Sequence, residues 1–144
     1  MKKILFVCTG NTCRSPMAEM ILKNILKMNN IKDIKVSSAG INAISGASMS
    51  LLSQETLKRN EIPKTAFKSK RITEKLLKEY SIVICMTAGH KRVLEGHKNV
   101  YTISELTDCG EIHDPFGGED ASYQRCFIEI KRAVDVFVEK FKII

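Results

Sequence analysis

A cysteine, a run of small polar residues and an arginine stand together near the amino end: Cys8, Thr9, Gly10, Asn11, Thr12, Cys13, Arg14 and Ser15. Such a set suits the binding of a tetrahedral oxyanion. Small residues entering a helix let successive N–H groups turn inward as an anion-binding nest, with the positive end of the helix dipole behind them. Gly10 and Asn11 tolerate the left-handed dihedrals such a ring demands. Arg14 adds a planar fork able to take two phosphate oxygens at once. In that field Cys8 is expected as a thiolate beneath the phosphorus it would attack. Other chemistries fit these residues poorly. No Gly-Lys-Ser/Thr follows, which excludes a Walker loop, and the three-glycine dinucleotide pattern is absent. Cys8 and Cys13 are not spaced as a zinc-ribbon pair and no second close Cys/His pair accompanies them, so neither a metal nor a cofactor is expected. A bland alternative stays open at this point, with Cys8 a small core residue ending a strand.

The elements that must position this loop can be traced from the pattern of apolar residues. Lys3 to Val7 is a compact apolar run, as in a strand buried on both faces. Ser15 is expected to cap a helix with Pro16 in its first position and Met17, Ile21, Ile25 and Met28 as its apolar stripe, ending at Asn29 and Asn30. A second strand is expected over Ile34 to Ser37, a loop at Ser45 to Ala47 and a helix from about Ser48 to Arg59. A basic connection, Lys64 to Arg71, leads to a short helix capped by Thr73, then a buried strand, Ile82 to Met86. Thr87 caps a helix to about Glu95. A short strand near Val100 to Ile103 precedes a polar stretch, Thr107 to Asp120, that reads as a loop. Tyr123 to Phe141 closes the chain as a helix, with Cys126, Ile130, Val134, Phe137 and Phe141 on one face. Strand and helix alternate, so the fold class is α/β: a four-stranded, mainly parallel sheet with helices on both faces in three layers. Ligands in such folds sit beyond the carboxyl ends of the strands, where the first loop and the segment around Asp114 would converge.

Composition bounds the partners. The 144 residues carry 23 Lys plus Arg against 16 Asp plus Glu, and 44% are apolar. A chain this heavy buries roughly 16,000 Å² on folding, so no disulfide or metal staple is required. The excess charge is interleaved, as in Glu74 and Lys75 or Lys78 and Glu79, which reads as a solvated surface rather than a nucleic-acid face. Its field still favours an anionic partner. Five cysteines, an odd number, fit an intracellular protein better than a secreted framework. No apolar run reaches the ~18 residues of a membrane span, and the apolar stretch after Met1 is too short for a signal peptide. A cytoplasmic monomer with no membrane or nucleic-acid partner is expected.

The stretch VCTGNTCRSPMAE from Val7 to Glu19, together with Asp114 and Pro115, resembles the low-molecular-weight protein tyrosine phosphatase family. The likeness extends over the whole chain, which implies one domain over 1–144. It implies phosphorylated proteins as substrates, Cys8 as nucleophile, Thr9 to Arg14 as the phosphate-binding loop, Ser15 as a hydrogen-bond partner of the thiolate and Asp114 as general acid. Without the family, Asp114 reads as a turn residue before proline. The implied chemistry is displacement by Cys8 to give a cysteinyl-phosphate, then hydrolysis by water, with the loop amides and Arg14 stabilising charge on the equatorial oxygens.

Two features depart from the tyrosine-specific pattern. Thr12 stands where tyrosine phosphatases of the family usually carry Ile, and the segment Asp114, Pro115, Phe116, Gly117, Gly118 lacks the tyrosines they tend to place after the proline. Both features are similar to the bacterial protein-arginine phosphatases of the family, which makes Thr12 and Phe116 the expected selectivity residues and phosphoarginine the favoured substrate, phosphotyrosine the alternative. The arsenate reductases that share this loop need further cysteines after the third strand. Cys85 is near, but Met86 to Asn99 has none. A non-catalytic phosphate-binding module is the remaining rival. Cys13, five residues from Cys8, is expected to be able to join it in a reversible disulfide. Cys85 and Cys126 read as core residues, His113 as a solvent-facing loop residue and Tyr123 as a packing residue. Phe67 stands where the family often has a His, so that hydrogen-bond position is not carried over.

Overall fold

Alternate residues of a strand point to opposite faces, and a run that is apolar at every position must therefore be covered on both sides. Strand β1 (Lys2–Cys8) is built that way. In the computed structural model, which describes residues 2–144, Ile4, Phe6 and Cys8 face one core and Leu5 and Val7 the other. The sheet order is β2 (Ile34–Gly40), β1, β3 (Ile82–Cys85), β4 (Val100–Thr102), and every pairing is parallel. The expected four-stranded α/β sheet is thus observed, wholly parallel.

The first core lies under α1 (Arg14–Met28) and α6 (Asp120–Lys140), whose Met17, Ile21, Ile130, Val134 and Phe137 pack on Ile4, Phe6 and Ile84. The second core gathers Leu77 and Tyr80, at the end of α3 (Glu74–Glu79), and Leu94, which follows α4 (Ala88–Val93), against Leu5, Val7 and Val83. Cys85 and Cys126 are core residues, as their apolar stripes suggest. Burial pushes the Cys85 thiol up to about 12 and the Cys126 thiol higher still. Among the described residues no helix is long and apolar enough to cross a membrane.

Several boundaries differ from the sequence reading. Helix α1 begins at Arg14 with Cys13 in the cap position, so Ser15 lies inside the helix rather than capping it, and no side chain caps this end. Helix α2 (Leu51–Arg59) starts three residues later than the expected Ser48 and is capped by Ser50, whose Oγ accepts from the Ser53 N–H. A helix the reading missed, α5 (Ile103–Thr107), follows β4 directly. Thr102 and Glu105 form a reciprocal capping box there, a three-residue spacing hidden because Thr102 also ends a strand.

Candidate active site

The carboxyl end of β1, the loop from it into α1 and the segment after α5 meet around one pocket of about 230 Å³, lined by Cys8, Thr9, Gly10, Thr12, Cys13, Arg14, Asp114 and Phe116. Cys8 ends β1 and lies on the pocket floor. Its residue is only 2% exposed and belongs to the first core, yet it also lines the pocket, and its Sγ has a polar neighbour in Ser15 Oγ at 2.9 Å.

The Ser15 hydroxyl belongs to a buried polar network. Asn11 accepts at Oδ1 from the Lys70 N–H (3.0 Å), which orients the amide so that Nδ2 donates to both Ser15 Oγ and Ser38 Oγ, each at 2.9 Å. Ser15, having accepted from Asn11, has its hydroxyl hydrogen for Cys8 at 2.9 Å or for the Ala39 carbonyl at 3.4 Å. Behind them Ser38 donates to Glu19 (2.6 Å), which is paired with Lys23.

The loop's curl has local causes. Asn11 is left-handed (φ 55°) and fully buried, its carbonyl accepting from Ser69 Oγ at 2.6 Å. Gly10 is not among the left-handed residues, so Asn11 alone makes that turn. Phe67 packs on the core, and the two hydrogen bonds that reach Asn11 from this segment come from the Ser69 hydroxyl and the Lys70 N–H. Gly40, at the end of β2, lies so close that a Cβ would stand 2.5 Å from the Thr9 carbonyl oxygen and 2.9 Å from the Asn11 nitrogen. Because α1 starts without a capping side chain, its first N–H groups remain for a ligand.

Arg14 is 5% exposed and held from two sides, Nη1 donating to the Ile112 carbonyl at 3.2 Å and Nη2 to Thr9 Oγ1 at 3.3 Å. Across the mouth, Asp114 Oδ2 lies 3.6 Å from Arg14 Nη2, its side chain 53% exposed. Asp114 Oδ1 accepts from the Phe116 N–H at 3.1 Å. Pro115 to Gly118 close a turn through a 2.9 Å backbone bond, with Gly117 left-handed (φ 80°) and Gly118 tight against Ser122. The two glycines therefore have a turn to make as well as leaving room at the mouth. Phe116 is 80% exposed and lines the pocket, so one aromatic ring remains there.

Cys13 contacts Ser50 Oγ and Tyr123 OH, each at 3.5 Å, and both Cys8 and Cys13 are free thiols. Tyr123 is a packing residue, as expected; burial and the Cys13 contact push its hydroxyl up to about 12. His113 is not the solvent-facing residue expected: it is half-buried, with Nδ1 2.8 Å from Glu129 Oε1 on α6. Sequence reasoning missed His90, 4% exposed, whose Nε2 lies 2.9 Å from Thr9 Oγ1. Its only signal was a position three residues after the cap Thr87, which carries no functional meaning by itself.

The low molecular weight phosphotyrosine protein phosphatase family matches residues 3–143. The chain belongs to that family. It is 34% identical over 148 residues to a protein-arginine-phosphatase of Geobacillus stearothermophilus, covering 97% of this chain and 96% of the relative. It is 38% identical over 133 residues to the low molecular weight protein-tyrosine-phosphatase PtpB of Staphylococcus haemolyticus, covering 89% and 91%. Among solved structures, a mutant of the YwlE arginine phosphatase with a phosphorylated active site serine superposes with a TM-score of 0.91 at 31% identity, covering 97% of this chain and 95% of that one. This phosphatase is thus a cysteine-based hydrolase acting on phosphorylated proteins.

Proposed function

We propose that this phosphatase removes the phosphoryl group from phosphoarginine in proteins through a cysteinyl-phosphate on Cys8. The observation that carries the reading is the pocket in which Cys8, Arg14 and Asp114 converge with Thr12 on the wall. Cys8 Sγ attacks phosphorus as the P–N bond breaks, and Asp114 delivers its proton to the leaving guanidine nitrogen. Water then displaces the sulfur, Asp114 taking its proton, and free phosphate leaves with the enzyme restored. Charge on the equatorial oxygens is met by the amides of Thr9 to Arg14 and by the Arg14 fork. The Ser15 hydroxyl lies within hydrogen-bonding reach of the attacking sulfur, at 2.9 Å.

Selectivity rests on Thr12 and Phe116. The Thr12 hydroxyl leaves room and a polar contact beside the scissile bond. The half-exposed Asp114, in its acid form, can hydrogen-bond the guanidine nitrogen and pass its proton to it as the P–N bond breaks. The arginine-specific relative and the YwlE structure support this reading. Phe116 favours the second reading, phosphotyrosine, because an exposed aromatic ring at the mouth can stack on a phenyl leaving group, and PtpB of similar identity is named a tyrosine phosphatase. The chain is read as a monomeric single domain.

The deciding experiment compares kcat/KM for phosphoarginine and phosphotyrosine peptides in the parent and in Thr12→Ile. The parent is expected to prefer phosphoarginine, and the Ile variant to shift toward phosphotyrosine by about tenfold or more, the worth of a methyl-sized fit plus one lost polar contact. A parent preferring phosphotyrosine, unmoved by the substitution, would falsify the arginine reading.

A further inference from the structure

One buried titratable side chain against the phosphate loop has no part in the chemistry above. His90 sits in α4, on the element that follows β3, and is connected to Arg14 through a single intermediate, Thr9. We propose that His90 is a positioning residue for phosphoryl transfer: by fixing the Thr9 hydroxyl it holds the Arg14 guanidinium in the orientation that meets the equatorial oxygens. The proposal rests on the reading of Arg14 as the group that binds the transferred phosphoryl.

A neutral His90 ring satisfies every hydrogen bond in this chain. A guanidinium carries only donors, so Thr9 Oγ1 accepts from Arg14 Nη2 (3.3 Å). The hydrogen of the Thr9 hydroxyl is then free for His90 Nε2 at 2.9 Å, in the tautomer whose Nε2 accepts. A neutral ring accepting at Nε2 carries its hydrogen on Nδ1, and Nδ1 donates to Thr87 Oγ1 at 3.1 Å. Thr87 in turn accepts from the His90 backbone N–H at 3.3 Å, so the ring is clamped by its own helix cap. Beside it the Ala88 N–H donates to Glu111, tying α4 to the segment that carries Ile112, the other support of Arg14.

A protonated ring would reverse this. Nε2–H would become a second donor at Thr9 and place a cation beside Arg14. Burial first, and Arg14 second, hold His90 down to about 4, against the opposing pull of Asp114 and Glu111. With the ring neutral, Arg14 has one hydrogen on each Nη committed to the protein and its other donors available to phosphate.

The test separates positioning from mere packing. His90→Gln places an amide oxygen close to where Nε2 lies and so keeps the acceptor for Thr9; His90→Ala and Thr9→Val each break the link. With p-nitrophenyl phosphate as substrate, the Ala and Val variants are expected to lose about tenfold in kcat with KM changed far less, the scale typical of losing a group that orients a working side chain. His90→Gln is expected to recover kcat to within about threefold of the parent, and Thr9→Val/His90→Ala to lose no more than either single variant, because both remove one link. Full kcat in the Ala variant, a Gln variant as slow as Ala with its thermal unfolding unchanged, or multiplicative losses in the double variant would overturn the proposal. If His90→Ala does not fold, Gln and Thr9→Val still decide it. A parent protein inert on p-nitrophenyl phosphate would sink the reading of the Arg14 site; an active parent indifferent at position 90 sinks only this inference.

Discussion

At the scale of single residues, the site depends on which protons are held where. In the proposed mechanism Asp114 serves the leaving group, and its half-exposed carboxyl lies 3.6 Å from Arg14. In Asp114→Asn, turnover of phosphopeptides is expected to fall by about 10² to 10⁴, while an activated aryl phosphate, whose leaving group needs no proton, keeps most of its rate. Equal losses on both substrates, measured by steady-state kinetics, would remove Asp114 as the acid. His90 gives a stability prediction. The unfolded ring takes its proton at 6.5 and the folded ring only near 4. Between those values the unfolded chain binds the extra proton, so stability declines as pH falls through the window, by up to about 3 kcal/mol for the full shift. Denaturant titrations at pH 7 and pH 4.5 are expected to show a smaller decline in His90→Gln than in the parent. Contiguity decided what could be read at this scale. Cys8 to Ser15 form one uninterrupted stretch with a recognisable chemical logic, and Asp114 was legible only by its resemblance to a family. His90, Ser38 and Ser69 reach the loop from elsewhere in the chain, and no spacing announces them. Ser15 was misread as a cap because its type suits that role, whereas in the fold it lies inside α1 with its Oγ 2.9 Å from Cys8 Sγ.

At the scale of elements, the phosphate loop is shaped by its neighbours. Strand β2 ends in Gly40 because the Thr9 carbonyl and the Asn11 amide approach too closely for any side chain. Gly40→Ala must push the loop or β2 aside. It is expected to cost about 1–3 kcal/mol of stability, as overpacking does, and to lower kcat more than Ile130→Ala, a core truncation remote from the loop. Chemical denaturation alongside kinetics on the folded protein checks both; an Ala variant at Gly40 with parental kcat would show that the close approach has no bearing on the loop. The strands and the long helices were legible because β1 and β3 are continuous apolar runs and α1 and α6 carry clear stripes. Helix α5 was not, because its five residues are too few for a periodicity and its cap Thr102 is shared with β4.

At the scale of the whole molecule, a parallel sheet collects its chemistry at one edge. Cys8 comes from the end of β1, Gly40 from β2, His90 from the element after β3, and Asp114 from the chain beyond β4 and α5. The same topology explains why composition was informative about class and silent about the site: covering a sheet on both faces fixes how many apolar residues are needed, not which loops meet. The net charge of +7 adds a field that attracts phosphorylated partners without choosing among them. The central claim is that Cys8 carries the phosphoryl group during turnover. Rapid mixing of the parent phosphatase with p-nitrophenyl phosphate, acid quenching and peptide mass spectrometry is expected to find one phosphoryl group on Cys8, absent in Cys8→Ala. A phosphoryl group on any other residue, or a Cys8→Ala variant that still turns over, would contradict the account.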